Sequence, residues 1–208
     1  MGTTRLRKLA LAGLTTSALA LLTACGGSAD STSGRDMSTT MSSSAPASSQ
    51  PSSAPSSATF NDADVMFAQM MIPHHQQAVE MADLAATRAS DKEIKDLAAK
   101  IKAAQDPEIQ TMRGWLKSWG KEEPSGGMGH GMPGIMSEED MKKLEAAKGA
   151  AFDKQFAQLM IAHHNGAIDM ARTEQAQGSD AEAKDLAKAI ETGQQAEVQQ
   201  MQDLLKRL

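Results

Sequence analysis

The chain has 208 residues, a formal net charge of −5 and one cysteine, which excludes an intramolecular disulfide framework and any metal site built on several thiolates. Its acidic balance argues against a general nucleic-acid-binding surface, which needs clustered Lys and Arg, and an aromatic content of 3% argues against base stacking. Its unusual feature is the 15 methionines, against four Phe, two Trp and no Tyr.

Residues 1–24 have the features of an export signal. Basic residues precede the apolar stretch Leu9–Leu22, which is short for a membrane span. The stretch runs into Leu22-Thr-Ala-Cys25, which resembles the lipobox of bacterial lipoproteins, whose cysteine is acylated after cleavage. We therefore expect lipidation of Cys25 and a protein held on the extracytoplasmic face of the cell membrane. The alternative is an ordinary secretory signal with a chance cysteine.

Residues 25–59 are rich in Ser, Ala and Pro and have no hydrophobic periodicity, which is typical of a disordered tether. The remainder, residues 60–208, is a duplication, because Phe67–Ala82 recurs closely as Phe156–Ala171. The two repeats are residues 60–119 and 149–208, and residues 120–148 form a Met-rich connector between them. A repeat of this quality determines the fold before any single motif does.

Each repeat is predicted to form two helices. Asn61 suits the N-cap of the first helix, and Ser90 and Ser179 each open a capping-box pattern for the second. Pro73 and Pro107 are replaced by alanine in the second repeat, so we expect the helices to continue through both prolines with kinks.

The connector is predicted to contain a short additional helix that Ser137 caps and Gly149 ends. Because one helical hairpin cannot bury its apolar stripe alone, the two hairpins should pack together. The predicted fold class is therefore all-α: a four-helix bundle made of two duplicated hairpins with a long crossover connector.

The first helix of each repeat carries adjacent histidines among methionines. At 100° per residue, imidazoles and thioethers fall on neighbouring stripes of one helix face. This ligand set suits Cu(I) or Ag(I), which prefer soft, neutral donors. The candidate metal ligands on these helices are Met71, His74, His75, Met81, Met160, His163, His164 and Met170. The alternative is that these side chains are core residues, since methionine commonly fills gaps.

The connector holds a second candidate metal-binding cluster: Met128, His130, Met132 and Met136. Thioethers remain ligands in oxidising surroundings, where thiolates would be oxidised. We interpret the cluster as a mobile arm that captures or delivers metal. The alternative is a flexible loop with incidental methionines.

Asp64 and Asp153 recur on the same helical stripe as His75 and His164. They either orient His75 and His164 through hydrogen bonds or complement the helix dipole as first-turn acids. Ferritin-like di-iron sites use Glu-x-x-His on helices, and no Glu stands three residues before any of the four helical histidines.

These motifs resemble the bacterial family known as domain of unknown function 305. The resemblance rests on Met71-Ile-Pro-His-His75, on Met160-Ile-Ala-His-His164 and on the connector sequence Met132-Pro-Gly-Ile-Met-Ser137, and it covers about Phe60 to Leu208. It implies an exported, duplicated four-helix domain of the ferritin-like superfamily. The best-understood members are copper-resistance proteins that bind copper and silver outside the cytoplasm. Ala162 in place of Pro73 departs from the pattern and leaves the equivalence of the two half-sites open.

The sequence thus favours a lipid-anchored protein that sequesters or hands over Cu(I), and possibly Ag(I), without catalysis. The partners implied are the membrane, a metal ion and a copper donor or acceptor protein, with no nucleic acid. Two other functions stay open: a non-metal structural or interaction module of the cell envelope, and a ferritin-like metal-dependent redox enzyme.

Overall fold

The computed structural model describes residues 60–123 and 131–208, and this part of the chain is all-helical, with no strand. The all-α prediction is confirmed. The five helices are α1 (Asp62–Arg88), α2 (Lys92–Ser118), α3 (Glu138–Ala146), α4 (Ala150–Gln177) and α5 (Ala181–Leu205). Within the described residues, none of these helices is long and apolar enough to cross a membrane. The predicted signal, Cys25 and the tether lie outside the described residues.

The start of α1 agrees with its sequence signal. The Asn61 side chain accepts hydrogen bonds from the backbone N–H groups of Ala63 and Asp64, and the Asp64 carboxylate accepts from the Asn61 backbone, which completes a capping box. The second helices start one residue later than predicted, because Asp91 and Asp180 are the N-caps.

The prediction of uninterrupted helices is confirmed, since Pro73 lies inside α1 and Pro107 inside α2. Ser137 caps α3 as expected. Gly149 was assigned the wrong role: α3 already ends at Ala146, and Gly149 is instead the N-cap of α4. It adopts φ 62°, a left-handed conformation that glycine enters without steric cost.

The helices pack as two hairpins, α1 on α2 and α4 on α5, and α1 lies against α4 where the hairpins meet. Small residues at the centre of α1 and α4 let the two helices approach closely. They are Ala68, Ala78, Ala82, Ala157, Gly166, Ala167 and Ala171, all buried. Bulkier side chains fill the rest of the interior in two clusters, each of which contains residues of α1, α2, α4 and α5.

The described end of the connector is fixed onto the helices at two points. The Gln77 side chain donates to the Met136 carbonyl at 3.1 Å and accepts from the Met136 backbone N–H at 2.7 Å. On α4, Gly166 has no side chain, and a Cβ there would overlap the Pro133 carbonyl. The connector therefore crosses the α1–α4 contact close to its middle.

Candidate metal centre

His74 of α1 and His163 of α4 meet at the centre of the hairpin interface. Their ring centroids lie 3.8 Å apart, and both side chains are fully buried. The His74 Nε2–H donates to the Pro133 carbonyl at 3.1 Å. Burial, followed by the nearby His75, lowers the pKa of His74 to about 3, and burial together with His74 holds the pKa of His163 well below its usual value. Both imidazoles are thus neutral at pH 7 and keep a lone pair for a ligand.

The second histidine of each pair points toward its own hairpin partner helix and contacts a glutamate. His75 Nε2 donates to Glu108 Oε2 at 2.8 Å, and His164 Nε2 donates to Glu197 Oε2 at 2.7 Å. Donation from Nε2 fixes the tautomer and leaves the lone pair on Nδ1. The Nδ1 atoms of both histidines are buried and have no hydrogen-bond partner among the residues that the structure describes.

Thioethers lie one helical turn from each of these histidine–glutamate pairs. Met71 precedes His75 by one turn on α1, and Met112 follows Glu108 by one turn on α2. Because α1 and α2 are antiparallel, both methionines fall on the same level, and they belong to one buried cluster. Met160 and Met201 repeat this arrangement in the second hairpin. All four side chains are fully buried.

Unpaired buried imidazole nitrogens next to thioethers make a donor set for a soft cation. A buried polar atom without a partner costs free energy that a bound ion would recover. Within residues 60–123 and 131–208, no group of three or more His, Cys, Asp and Glu side chains is arranged to hold a metal ion. Thioether sulfur is a soft ligand that suits Cu(I) and Ag(I) better than harder ions.

The model of one protein family, described as "Domain of unknown function (DUF305)", matches residues 64–205 of the chain. The chain belongs to the DUF305 family. No curated protein matches the chain.

Three solved structures resemble this DUF305 domain. A DUF305 protein of Streptomyces coelicolor, assigned as secreted, is 36% identical with a TM-score of 0.66 and matches 70% of this chain and 93% of its own. A DUF305 fragment from Deinococcus radiodurans is 29% identical with a TM-score of 0.66, over 71% of this chain and 98% of its own. CopM in its Cu(I)-bound form is 32% identical with a TM-score of 0.60, over 69% of this chain and 96% of its own. CopM is also known in Cu(II)-bound and Ag-bound forms.

The remaining candidate ligands of this DUF305 domain are the methionines farther along α1 and α4 and those of the connector. Met81 and Met170 are each about two helical turns from the nearest histidine, on the order of 10 Å along the helix axis. Met132 and Met136 are buried, and Met136 packs in the core that α3 covers. The described end of the connector is thus anchored rather than a free arm. Met128 and His130 lie outside the described residues.

Asp64 and Asp153 do not orient the histidines; that expectation is corrected by their contacts. The Asp153 carboxylate accepts from the backbone N–H groups of Ser90 and Asp91 and from the Ser90 hydroxyl. The Asp64 carboxylate accepts from the backbone N–H groups of Ser179 and Asp180. Each aspartate therefore binds the helix start of the opposite hairpin. These bonds also explain why the two serines are not the N-caps.

A further buried acid lies beside one of these two aspartates. Glu174 is buried beside Asp64, and burial, followed by the hydrogen bond and charge of Asp64, raises its pKa to about 8. Asp64 has a lowered pKa: burial opposes this shift, but hydrogen bonds from Glu174 and from the backbones of Asn61, Asp180 and Ser179 outweigh it. At pH 7 Glu174 therefore carries the proton of the pair.

Glu108 and Glu197 are the site residues that sequence reasoning missed. The signal was present, because both glutamates stand one turn before a recurring methionine in equivalent positions of the two repeats. They were overlooked because they lie on the second helix of each repeat, whereas the histidines lie on the first.

Proposed function

We propose that this DUF305 protein is an extracytoplasmic, lipid-anchored copper-binding protein that sequesters or hands over Cu(I), and also binds Ag(I), without catalysing a reaction. One observation carries the proposal. His75 and His164 are each fixed through Nε2 by a glutamate, while their buried Nδ1 atoms have no partner. Metal-ligating histidines typically donate their other ring N–H to a carboxylate or a carbonyl.

The proposed sites use the donors that each hairpin buries. In the first hairpin the Nδ1 of His75 would bind with the thioethers of Met71 and Met112. In the second hairpin His164 would bind with Met160 and Met201. Neutral, soft donors shielded from water stabilise Cu(I). The His74–His163 pair between the two sites offers further neutral nitrogen ligands.

The relatives and the N-terminal sequence support the cargo and the location. CopM, about 30% identical to this chain, is known with bound copper and silver, and the Streptomyces relative is assigned as secreted. The lipobox-like sequence ending at Cys25 adds a membrane anchor. We also propose that the two hairpins form a ferritin-like four-helix bundle, which the α1–α4 packing supports. A copper donor or acceptor protein would be the natural partner.

Anaerobic Cu(I) titration against a competing chelator tests the proposed sites. All proteins carry Cys25→Ser, because a free thiol would bind Cu(I) itself. The test variant is His75→Gln/His164→Gln, in which glutamine keeps a side-chain donor for the glutamates but offers no soft ligand. The control is Gln76→Ala/Asn165→Ala, which changes the adjacent exposed positions.

We expect the histidine variant to lose two Cu(I) ions relative to the unaltered protein, with unchanged helicity, and the control to lose none. Cu(I) should also raise the melting temperature of the unaltered protein, because a ligand that binds only the folded state stabilises it. Equal copper binding by the histidine variant would contradict the proposal. If the unaltered protein bound no copper and its melting temperature did not respond, the core would instead be structural.

A further inference from the structure

A cavity of about 450 Å³ opens between the first half of α1 and the last half of α4. Three methionines from the two helices line it: Met66, Met70 and Met170. Met66 is 59% exposed, and it is the one large hydrophobic side chain with such exposure among the described residues. A methionine that fills a gap in the core would be covered, so packing does not account for Met66.

The three thioethers face one another across the cavity. Met66 and Met70 are one turn apart and therefore share a face of α1. The contact between His74 and His163 sets the antiparallel register of α1 and α4. Two turns from that contact, the same register places Met170 opposite Phe67, between Met66 and Met70.

The second repeat shows that this cavity is not a necessary consequence of the fold. There, Gln155 and Leu159 replace Met66 and Met70. The equivalent groove is covered by α3, whose Met141 and Leu144 pack in the core with Met81 and Phe156. Thus the groove that keeps the extra thioethers is also the one that α3 leaves open.

The cavity adjoins the buried histidines. Pro133 forms part of the cavity lining, and its carbonyl accepts the hydrogen bond from His74 Nε2. One residue thus separates the cavity from the central imidazole pair. The lining also includes the exposed carboxylates of Asp62 and Asp169, although Arg172 lies 4.0 Å from Asp169. Acidic groups on the lining favour the approach of a cation.

We propose that Met66, Met70 and Met170 form a solvent-accessible thioether site for Cu(I) or Ag(I), from which the ion passes inward to the histidines. Thioethers bind these ions as neutral ligands, so an ion can pass to a neutral imidazole with neither a proton transfer nor a change of oxidation state. The binding at the thioethers stands by itself, whereas the inward transfer rests on the proposed function.

The test follows methionine methyl groups by NMR while Ag(I), which is diamagnetic, is added to the full chain in the Cys25→Ser background. The variant is Met66→Gln/Met70→Leu, which installs the residues of the second repeat at an exposed and a half-buried position. The matched control is Met141→Leu, which removes a methionine from the groove that α3 covers.

We expect the methyl signals of Met66, Met70 and Met170 to shift together in the unaltered protein and before those of Met71 and Met160. The double variant should bind one ion fewer and load the buried methionines at least tenfold more slowly, while the control behaves as the unaltered protein. Unchanged stoichiometry and loading rate in the double variant would overturn the inference.

The failure of this inference differs from the failure of the proposed function. If His75→Gln/His164→Gln loses ions and Met66→Gln/Met70→Leu does not, the buried sites stand and the thioether site is wrong. If only the methionine variant loses an ion, the thioether site stands and the buried sites are wrong.

Discussion

The α1–α2 hairpin and the α4–α5 hairpin keep the same histidine–glutamate contact and differ where the connector and a buried acid pack against them. At mid-length, the His75–Glu108 contact of 2.8 Å and the His164–Glu197 contact of 2.7 Å have the same burial, with 0% exposure of the histidine and 21% of the glutamate. Pro73 and Ala162, which differ just before the histidines, leave this geometry unchanged. The paired contact therefore tolerates a difference in the backbone next to it.

The two hairpins differ where the chain outside the repeats packs. Gln77 of α1 binds the connector through its side chain, and the equivalent Gly166 of α4 admits the connector backbone. Glu174 stands where the first repeat has Ala85. One connector cannot satisfy two equivalent surfaces, so the hairpins differ at Gln77 and Gly166, although the histidine–glutamate contacts two residues away are alike.

The largest expected effect comes from removing an aspartate that binds the helix start of the opposite hairpin. Asp153→Ala removes the buried carboxylate that accepts from the partly buried N–H groups of Ser90 and Asp91, and we expect a loss of about 3 kcal/mol in the free energy of unfolding. Urea unfolding measures it. Asp64→Ala should cost less at pH 8, because it also removes the carboxylate beside Glu174. Asp62→Ala, an exposed acid of the first turn, should cost less than about 1 kcal/mol. An equally small loss of unfolding free energy in Asp153→Ala would show that this contact between the hairpins does not stabilise the fold.

The next largest effect is expected at the two histidine–glutamate sites that the hairpins share. Glu108→Gln weakens the acceptor that fixes His75, and we expect Cu(I) affinity at that hairpin to fall about ten- to hundredfold. Glu197→Gln should have the same effect on the other hairpin, and chelator competition measures both. Glu145→Gln, an exposed glutamate of α3, is the control. A large effect in one hairpin and none in the other would show that the two half-sites are not equivalent.

Much of the fold was predictable because its signals are local. The cap at Asn61, the helices that continue through both prolines and the repeated histidines follow from patterns within a few turns or from the duplication itself. The contacts of Asp64 and Asp153 were not predictable in this way. Each aspartate binds the opposite repeat, and nothing in the periodicity of a single helix reveals how two hairpins meet.

The candidate site was predictable only in part for a related reason. Met71, His74 and His75 share one helix, so their spacing places them on one face. Glu108 lies on another helix, and its contact depends on the register of α1 against α2. The role of Gly149 failed because a glycine between two helices fits either a C-terminal end or an N-cap, and the end of α3 at Ala146 decides between them.

Two glycines allow a helix position covered by the connector to be compared with an open one. Gly166→Ala places a Cβ against the Pro133 backbone, which cannot move aside as a flexible side chain would, and we expect a loss of about 1–2 kcal/mol. Gly193 of α5 has nothing within contact distance of an added Cβ. Gly193→Ala should therefore stabilise the protein by about 0.5–1 kcal/mol. Thermal unfolding of both variants measures the two changes in stability. If both variants were stabilised, the connector would move aside from the added Cβ without a loss of stability.

The smallest effect depends on pH and concerns the acid that only the second hairpin has. The unfolded chain releases the Glu174 proton near pH 4.5, but the folded protein holds it to about pH 8. Between these values the folded state binds more protons, so its stability falls as the pH rises. Glu174→Gln removes this dependence. The melting temperature of the variant relative to that of the unaltered protein should therefore rise by about 3 °C or more from pH 5 to pH 8.5. Glu80→Gln, an exposed glutamate of α1, should show no such gain. Parallel curves for Glu174→Gln and the unaltered protein would mean that the Asp64–Glu174 pair is fully ionised in the fold, and the asymmetry of the hairpins would then lie in packing rather than in protonation.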